Sequence, residues 1–472
     1  MRALRGNPSR SGRAGAHGRP SPFRAGVGGA VRGRSARVRA GIPISVISVV
    51  LAVVLLALAP DPAWAAQVIE PVRVLGVPVD FIFFGITLLG VALFHHRTLE
   101  VALSGLTVIA VYKILFTGFG EQAGIGGFLG HLGHEWVILV NLFCLLMGFG
   151  LLSRHFEDSE VPATLPKYLP DDWTGGLWLL VVVFVLSGFL DNIAAALIGG
   201  ATAHTIFKGR VHIGYMAGLV AVANAGGAGS VIGDTTTTMM WISGVSPLSV
   251  LPAYIAAFGA LAVIGIPAAR LQHRHAPILR DPDHVVHIDW VRVIVVAVVL
   301  SAAIATNVTI NLKFPAQADH FPFIGVAVVL TLVVLTPVRK PAWEILPGAF
   351  RGTLFLVSLV LCASLMPVEE LPAASWPSAF GLGFLSAVFD NIPLTALAIT
   401  QGGYDWDVLA FAVGFGGSMV WFGSSAGVAI SNMYPEAKSV GAWVRYGWFV
   451  PIGYVVGFFL LFLIMGWHPT AT

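Results

Sequence analysis

Two polar stretches interrupt the most apolar parts of this chain. The first, SGFLDNIAAALIGG (187–200), has Asp191 and Asn192 near its centre, and the second, SAVFDNIPLTALAI (386–399), has Asp390 and Asn391. Asp234 is a third acid among apolar neighbours, and four threonines follow it. Carboxylate, amide and hydroxyl oxygens are ligands for a hard cation such as sodium, and a carboxylate also takes up a proton. These residue types indicate cation or proton chemistry.

The interpretation of these acids depends on whether they lie in water or in lipid. Hydrophobic residues make up 56% of the 472 residues, charged residues make up 11%, and the mean hydropathy is +0.83. Apolar runs of about 20 residues, long enough to cross a bilayer, recur along the chain. An ionised aspartate costs about 2.5–3.5 kcal/mol at the bilayer centre. Helix capping is the structural alternative for these acids, but Asn, Ser or Thr caps a helix without a charge, so we favour a function.

The first 65 residues differ from the rest of the chain. They hold 10 of the 27 Lys and Arg residues but only one of the 24 acidic residues, so the basic character of the chain belongs to this leader. An apolar run and the sequence Ala63-Trp64-Ala65 follow, which is typical of a cleaved signal peptide. An uncleaved first helix is the alternative. Because the remainder is acidic overall, no nucleic-acid partner is expected.

Ten membrane spans are predicted after the leader from hydropathy. Their approximate bounds are 78–96, 98–117, 132–152, 212–241, 249–269, 290–310, 321–338, 345–366, 408–430 and 446–467. The two Asp-Asn segments, 176–206 and 373–401, are interpreted as re-entrant hairpins. Lys208 and Arg210 fall on the cytoplasmic side only if the first segment returns to its own side. The acidic GGYDWD stretch requires the same of the second segment.

Each hairpin is followed by a span that glycines interrupt. The first reads NAGGAGSVIGDTTTTMMW from Asn224 and the second reads GFGGSMVWFGSSAGVAI from Gly414. An offset of 190 aligns Gly226, Gly227, Ala228, Gly233, Asp234 and Thr235 with Gly416, Gly417, Ser418, Gly423, Ser424 and Ser425. Because each half has five crossings, the two halves have opposite orientations in the membrane.

The predicted fold is therefore an all-α polytopic membrane protein in an inverted-topology repeat, with about ten transmembrane helices, two re-entrant hairpins and two broken helices. The first repeat is 66–289, with its hairpin at 176–206 and its broken helix at 212–241. The second repeat is 290–472, with its hairpin at 373–401 and its broken helix at 408–430. Secondary transporters with this plan form their sites at midplane from discontinuous helices.

These motifs resemble the NhaD-type sodium/proton antiporters of the ion-transporter superfamily, which also contains INDY-type dicarboxylate carriers. The resemblance covers roughly residues 66–467 and depends mainly on NAGGAGSVIGDTTTT and the two DNI hairpins. The dicarboxylate carriers have Ser-Asn-Thr at the hairpin tips, whereas this chain has Asp-Asn-Ile. The resemblance implies a transporter rather than an enzyme, located in the bacterial cytoplasmic (inner) membrane. Sodium and protons are its expected cargo, and no cofactor is expected.

A site and a mechanism follow from these residues. Sodium, with lithium as an alternative cargo, and protons would compete for buried aspartates, and alternating access would turn that competition into antiport. The predicted ion-binding residues come from the hairpin tips and the broken helices: Asp191, Asn192, Asn224, Gly226, Gly227, Asp234, Thr235, Thr236, Asp390, Asn391, Gly416, Gly417, Ser418, Ser424 and Ser425. No metal beyond the transported sodium is predicted. The oligomeric state stays open, with a homodimer as one option.

Two other classes of function have some support in the sequence. A carrier of citrate, another carboxylate or another small anion would use the same fold and stays open as the alternative. It should present Arg, Lys or neutral Ser and Thr at the tips, which are acidic here. An intramembrane aspartyl protease is disfavoured, because VIGD at Asp234 lacks the first glycine of a G-x-G-D motif and Asp405 falls in an outer loop. Cys144 and Cys362 lie in apolar runs, which disfavours a disulfide or a thiolate metal site.

Polar residues near the outer ends of two spans have two interpretations each. His131, His134 and Glu135 are interpreted first as interfacial anchors, and proton access or pH sensing is the alternative. Lys113, four residues from the end of its predicted span, is expected to extend its ammonium outward to water. Pairing with an aspartate inside the membrane is the alternative for Lys113, and proton access or pH sensing is considered for it as for the histidines.

Overall fold

A computed structural model describes residues 72–469 except 95–96, 120–121, 279–286, 315–316 and 318–319. The predicted leader and its cleavage site lie outside the described residues. Two two-residue strands, Arg73–Val74 and Val77–Pro78, form a small antiparallel hairpin before the first helix. Nearly all other regular structure in the described residues is helical, as the sequence predicted.

The first half contains eight of the helices that position the site. They are α1 Val79–Leu93, α2 Thr98–Tyr112, α3 Gly124–Glu157, α4 Trp173–Ser187, α5 Asn192–Ile206, α6 Ile213–Ala228, α7 Thr235–Ile242 and α8 Ala253–His275. A π-helical turn, Lys113–Thr117, continues α2. Four-residue helical segments, Val161–Thr164 and Pro247–Val250, and a 3₁₀ turn, Leu165–Tyr168, lie in the connections.

The second half contains nine helices among the described residues. Its helices are α9 Trp290–Lys313, α10 Phe323–Leu335, α11 Leu346–Ser364, α12 Trp376–Ser386, α13 Asn391–Gln401, α14 Trp406–Gly416, α15 Ser425–Met433, α16 Val440–Tyr446 and α17 Phe449–Met465. Short 3₁₀ turns lie at Trp343–Ile345, Val368–Glu370, Gly417–Met419 and Pro435–Lys438.

Five helical stretches of the described chain are long and apolar enough to cross a membrane. They are Thr98–Thr117, Gly124–Glu157, Pro247–His275, Trp290–Ile310 and Trp343–Ser364. The pair α16 and α17, which is bent by 59°, would make a sixth if it is one span. The described chain thus has the apolar helices of an all-α membrane protein, while the count of ten crossings stays a prediction.

Both Asp-Asn segments form two helices joined by a short turn. In 176–206 the turn separates α4 from α5, and Asp191 lies at the N-cap position of α5 without a side-chain cap hydrogen bond. In 373–401 the turn separates α12 from α13, and the Asp390 side chain caps α13 by accepting from the Ile392 N–H. Asp and Asn favour such helix starts because their side chains compete for backbone hydrogen bonds. The position of each turn is therefore a local property of the sequence.

The two broken helices are interrupted in the glycine-rich stretches, as the sequence predicted. Residues 229–234 separate α6 from α7, and residues 417–424 separate α14 from α15. The hairpins lie directly on these helices: Ser187 Oγ donates to the Ala223 carbonyl at 2.5 Å, and Ser386 Oγ donates to the Val413 carbonyl at 2.8 Å. Each hairpin arm is therefore tied to the backbone of the broken helix that follows it.

Contacts between the two halves are reciprocal. Helix α2 packs on α11 while α3 packs on α10, and α5 packs on α15 while α7 packs on α13. The last long helices of the halves, α8 and α17, pack on each other more extensively than any other pair. The described residues accordingly fall within one compact unit. Several elements of each half therefore pack directly on elements of the other half.

Candidate functional site

Both hairpin tips converge on one carboxylate. The amide nitrogen Nδ2 of Asn192 donates to Asp234 Oδ1 at 3.3 Å, and Nδ2 of Asn391 lies 3.5 Å from the same oxygen. Asn391 also donates to Thr236 Oγ1 at 3.1 Å, and the Asn192 backbone N–H donates to the Gly233 carbonyl at 2.9 Å. The second hairpin therefore reaches across to the first broken helix, and Asp234 is the centre of the arrangement.

Helix capping involves only one of the two carboxylate oxygens of Asp234. Its Oδ1 accepts from the backbone N–H of Thr236 at 3.2 Å, as an N-cap of α7 does. Its Oδ2 is buried and has no hydrogen-bond partner among the described residues. This oxygen faces Gly414, where an added Cβ would lie 2.5 Å from it. The second oxygen is thus a buried acceptor to which no described residue donates a hydrogen bond.

The remaining threonines of the TTTT run stabilise the helix break. Thr237 Oγ1 donates to the Ser230 carbonyl at 2.5 Å, and Thr238 Oγ1 donates to the Val231 carbonyl at 2.8 Å. These bonds satisfy carbonyl groups that a continuous helix would pair internally. Thr235 is half-buried and lines the cavity described below. The four threonines therefore divide between backbone support and the site.

The second half has a neutral residue where the first has Asp234. Ser424 caps α15 by accepting from the Gly427 N–H at 3.2 Å, which is the role that the sequence suggested for it. Asp390 accepts from the Ile392 N–H at 3.1 Å, and Ser425 Oγ lies 3.5 Å from its other carboxylate oxygen. Asn391 extends toward Asp234 of the first broken helix and away from the second broken helix, which follows its own hairpin. The two halves of the site are therefore not equivalent.

A cavity of about 190 Å³ opens beside these groups. Its polar lining is Asp191, Asn192, Asp234, Thr235, Thr238, Thr353, Asn391 and Ser425. Apolar residues of α3 and α11, among them Leu146 and Leu356, form much of its remaining wall. The cavity is large enough for a small cation with water, since one water molecule needs about 10–15 Å³ on the same measure of volume.

A hydrogen bond joins the two broken helices. Nδ2 of Asn224 donates to Ser418 Oγ at 2.9 Å, and both side chains are fully buried. The carbonyl oxygen of the Asn224 side chain has no hydrogen-bond partner among the described residues. Like Asp234 Oδ2, it is a buried oxygen that could accept from a donor or bind a cation.

The predicted glycines serve close packing. A Cβ at Gly226 would clash with the Phe184 carbonyl of α4, and one at Gly416 would clash with the Gly383 carbonyl of α12. Gly227 and Gly417 lie against the carbonyls of Gly233 and Gly423 in the same way. These glycines let hairpin and broken helix approach backbone to backbone, which places the tips at the site.

The outer polar residues are remote from the tips. His131 is about 22 Å along α3 from Leu146 of the cavity wall, at 1.5 Å per residue. Its Nε2 lies 3.0 Å from Ser364 Oγ, whereas His134 is exposed and Glu135 is half-buried. The structure therefore does not bring this group to the cavity.

The expectation that Lys113 extends outward to water is wrong. Its side chain is buried, and its Nζ lies 3.8 Å from Asp80 Oδ1, so the alternative of pairing with an aspartate holds. Sequence reasoning missed Asp80, because it stands at the predicted start of a span, where an acid is usually solvated. The sequence did contain a signal for this pair. Asp80 lies near the start of one predicted span and Lys113 near the end of the next, and these two ends are adjacent when the spans are antiparallel.

Comparison with known proteins identifies relatives of this chain. No family model matches it. A protein named sodium/proton antiporter 1 from Arabidopsis thaliana is 29% identical over 54% of this chain and 50% of its own length. Sodium/proton antiporter 2 from the same plant is 27% identical, over 69% of its length. The Na(+)/H(+) antiporter NhaD of Vibrio parahaemolyticus is 25% identical, over 72% of its length.

The chain is similar to proteins named sodium/proton antiporters, NhaD among them, at 25–29% identity. This confirms the resemblance inferred from the motifs. The alignments cover about half of this chain, and half of the first plant relative. The relatives are named as antiporters, which are transporters rather than enzymes, in agreement with the prediction. Since plant proteins are among them, the bacterial inner membrane stays a prediction, while an integral membrane protein is supported.

Proposed function

We propose that this protein exchanges sodium for protons across a membrane by competition at Asp234. The observation that carries the proposal is the free, buried Oδ2 of Asp234, beside a cavity at which both hairpin tips meet. A buried carboxylate without a full set of partners is costly unless it is neutralised. Either a proton or a sodium ion neutralises it, and one carboxylate does not bind both fully.

Asp191 and Asp390 supply further charge at the tips. Asp191 lines the cavity, while Asp390 is held by Ser425 and the Ile392 N–H. Oxygen ligands from carboxylates, amides and hydroxyls match the preference of sodium. Alternating access to this site would convert competitive binding into antiport. In this proposal no cofactor takes part.

We also infer the inverted repeat and the re-entrant hairpins. Their support is the reciprocal packing of α2 on α11 and α3 on α10, the equivalent order of helices, and the matched serine bonds of the two hairpins. With the hairpins re-entrant, ten spans would place the two halves in opposite orientations. A homodimer in the bilayer is compatible with this arrangement and is left to measurement.

Cysteine labelling tests this topology. In a variant without Cys144 and Cys362, we expect a membrane-impermeant maleimide to label Glu369→Cys on intact cells. Arg210→Cys should react only after the membrane is opened, because basic residues collect on the cytoplasmic side. Both positions are exposed in the structure. Labelling of residue 210 from outside would refute the re-entrant first hairpin and the inverted repeat with it.

Proton flux in everted vesicles tests the cargo. Adding sodium or lithium to respiring vesicles should discharge the pH gradient, whereas adding citrate should leave it unchanged. The cavity lining includes two carboxylates and no Lys or Arg among the described residues, so a carboxylate would be repelled. A response to citrate that does not require sodium would favour the anion carrier instead. Vesicles from cells lacking the protein are the control.

A further inference from the structure

Asp191 borders a second, smaller cavity besides the one at the hairpin tips. The volume of this cavity is about 10 Å³, which is close to the least space that one water molecule needs. Four apolar residues of α3 and α9 line it and form what we call the apolar seam: Phe149, Leu152, Val296 and Leu300. Helices α3 and α9 pack on each other. Their seam therefore covers Asp191 and leaves no room there for an ion with its water.

The apolar seam continues into a pair of polar side chains. Arg292 lies four residues before the first seam residue of α9, and His155 lies three residues after the last seam residue of α3. Residues three or four apart lie on the same face of a helix. The helix faces that cover Asp191 therefore also carry His155 and Arg292, one turn further on.

A hydrogen bond between these two side chains closes the end of the seam. Nη1 of Arg292 lies 3.0 Å from Nδ1 of His155. Because arginine only donates hydrogen bonds, Nδ1 accepts, and the neutral ring carries its proton on Nε2. His155 is 1% exposed, and its Nε2 has no hydrogen-bond partner among the described residues. The bond between α3 and α9 therefore exists only while His155 is neutral.

Charged groups surround this bond. Arginines and acids of α3, α9 and the adjoining segments form ion pairs of 2.8–3.7 Å: Arg154–Glu157, Arg154–Asp158, Arg292–Asp158, Arg292–Asp289 and Arg339–Asp289. Glu344, in the 3₁₀ turn before α11, is a further acid near these pairs. Burial and the Arg292 guanidinium oppose a positive charge on His155, whereas Asp158 and Asp289 favour one. The group that opposes protonation most directly is therefore the arginine to which the ring is bonded.

We propose that the His155–Arg292 bond is a pH-dependent latch, which holds the apolar seam closed over Asp191 and opens when His155 takes up a proton. Protonation converts Nδ1 from an acceptor into a donor, so the bond is lost and two positive groups face each other. Losing a hydrogen bond to a charged group should shift the balance between closed and open seam about ten- to a hundredfold. Histidine ordinarily changes its charge between pH 5 and 8, and the guanidinium places this change toward the acidic end.

The latch would regulate the exchange site, and this role rests on the proposed function. In the proposed topology the arginines of the latch are on the cytoplasmic side. An open seam would give cytoplasmic water and protons a route to Asp191. When exchange brings protons into the cytoplasm, the resulting acidity would open the latch, and a protonated Asp191 would no longer bind sodium. The latch would then slow exchange in an acidified cytoplasm.

Thiol accessibility in purified protein tests the latch independently of transport and of topology. The background is the variant without Cys144 and Cys362, in detergent, with Val296→Cys as the reporter, because Val296 is 6% exposed while the seam is closed. Arg210→Cys is the reference, since residue 210 is exposed, and it corrects for the effect of pH on thiol chemistry. The ratio of the methanethiosulfonate reaction rates at positions 296 and 210 should be at least about tenfold greater at pH 5.5 than at pH 8.

Two substitutions of His155 identify the titrating group. His155→Gln offers Arg292 an amide oxygen that does not titrate, so the ratio should stay low at both pH values. His155→Arg is charged at both, so the ratio should stay high. The matched control is His134→Gln, at an exposed position of the same helix, which should leave the pH dependence unchanged.

Two results would overturn the latch. One is a ratio that does not change with pH in the protein with His155, and the other is a pH dependence that survives His155→Gln. Size-exclusion chromatography at both pH values establishes that each variant is folded. Neither result affects the exchange proposed at Asp234, which the vesicle assay measures, and loss of exchange at Asp234 would not alter the thiol reaction.

Discussion

Asp234→Asn is expected to abolish sodium-dependent proton exchange in everted vesicles. The substitution keeps the size of the side chain, and asparagine caps a helix as well as aspartate does. It removes the carboxylate charge toward which both Asn192 and Asn391 extend. Losing one partner of a buried charged interaction costs about 3 kcal/mol, or roughly a hundredfold in affinity. The rate at fixed sodium concentration should fall by that order.

Asp172→Asn is the matched control for this substitution. Asp172 caps α4 and accepts from the Thr174 N–H at 3.0 Å, but it is exposed and away from the cavity. The same chemical change at this N-cap should leave the exchange rate near that of the unaltered protein. The hairpin acids provide a second comparison, because the double variant Asp191→Asn, Asp390→Asn should also lose most exchange. Exchange at the normal rate in a correctly inserted Asp234→Asn protein would refute the proposed site.

Gly383→Ala is expected to destabilise the protein and to stop exchange. A Cβ at this position of α12 would lie 2.7 Å from the Ala412 carbonyl and would clash with the Tyr454 hydroxyl. That hydroxyl donates to the Phe380 carbonyl at 2.7 Å, so it is not free to move aside. Overpacking costs about 1–3 kcal/mol, and here the second hairpin would also separate from α14. The tip that carries Asn391 would then lose its position.

Gly381→Ala is the matched control on the same helix. An added Cβ there has no heavy atom within 4 Å, and alanine is the better helix former by up to about 1 kcal/mol. Thermal unfolding in detergent, followed by loss of the monodisperse chromatographic peak, should occur at lower temperature for Gly383→Ala than for Gly381→Ala. Equal unfolding temperatures with equal exchange rates would show that the close contact between α12 and α14 is unimportant.

The positions of the helices and their interruptions are set locally. Hydropathy located the apolar helices, since burial of an apolar run in lipid does not depend on which helix lies beside it. The turn at Asp390 follows from a side chain that bonds the nearby backbone, whereas Asp191 lies at the equivalent N-cap position without such a bond. The breaks follow from glycine-rich runs. The 190-residue offset likewise identified Ser424 as the neutral counterpart of Asp234, and both cap their helices in the structure.

The pairing of side chains between distant segments could not be obtained in this way. The repeated motifs by themselves fit two symmetric sites, one in each half, as well as one shared site. The structure instead directs Asn391 to Asp234 and Thr236, 157 and 155 residues away. This pairing depends on how α13 packs on α7. The packing of one helix on another produces no recognisable periodicity in either sequence segment, so the pairing could not be predicted.

Lys113 and Asp80 are a second pair of residues whose contact could not be predicted from the sequence. Each residue lies near the predicted end of its own span, where water is the expected partner for a charge. Only the packing of α1 against α2 buries both charges within 3.8 Å of each other. What the sequence determined by itself was therefore the class of protein, the helices and their polar interruptions, because these depend on solvent and on near neighbours along the chain. Tertiary structure alone decided which carboxylate is central and which cation is buried, because these depend on contacts between helices distant in sequence.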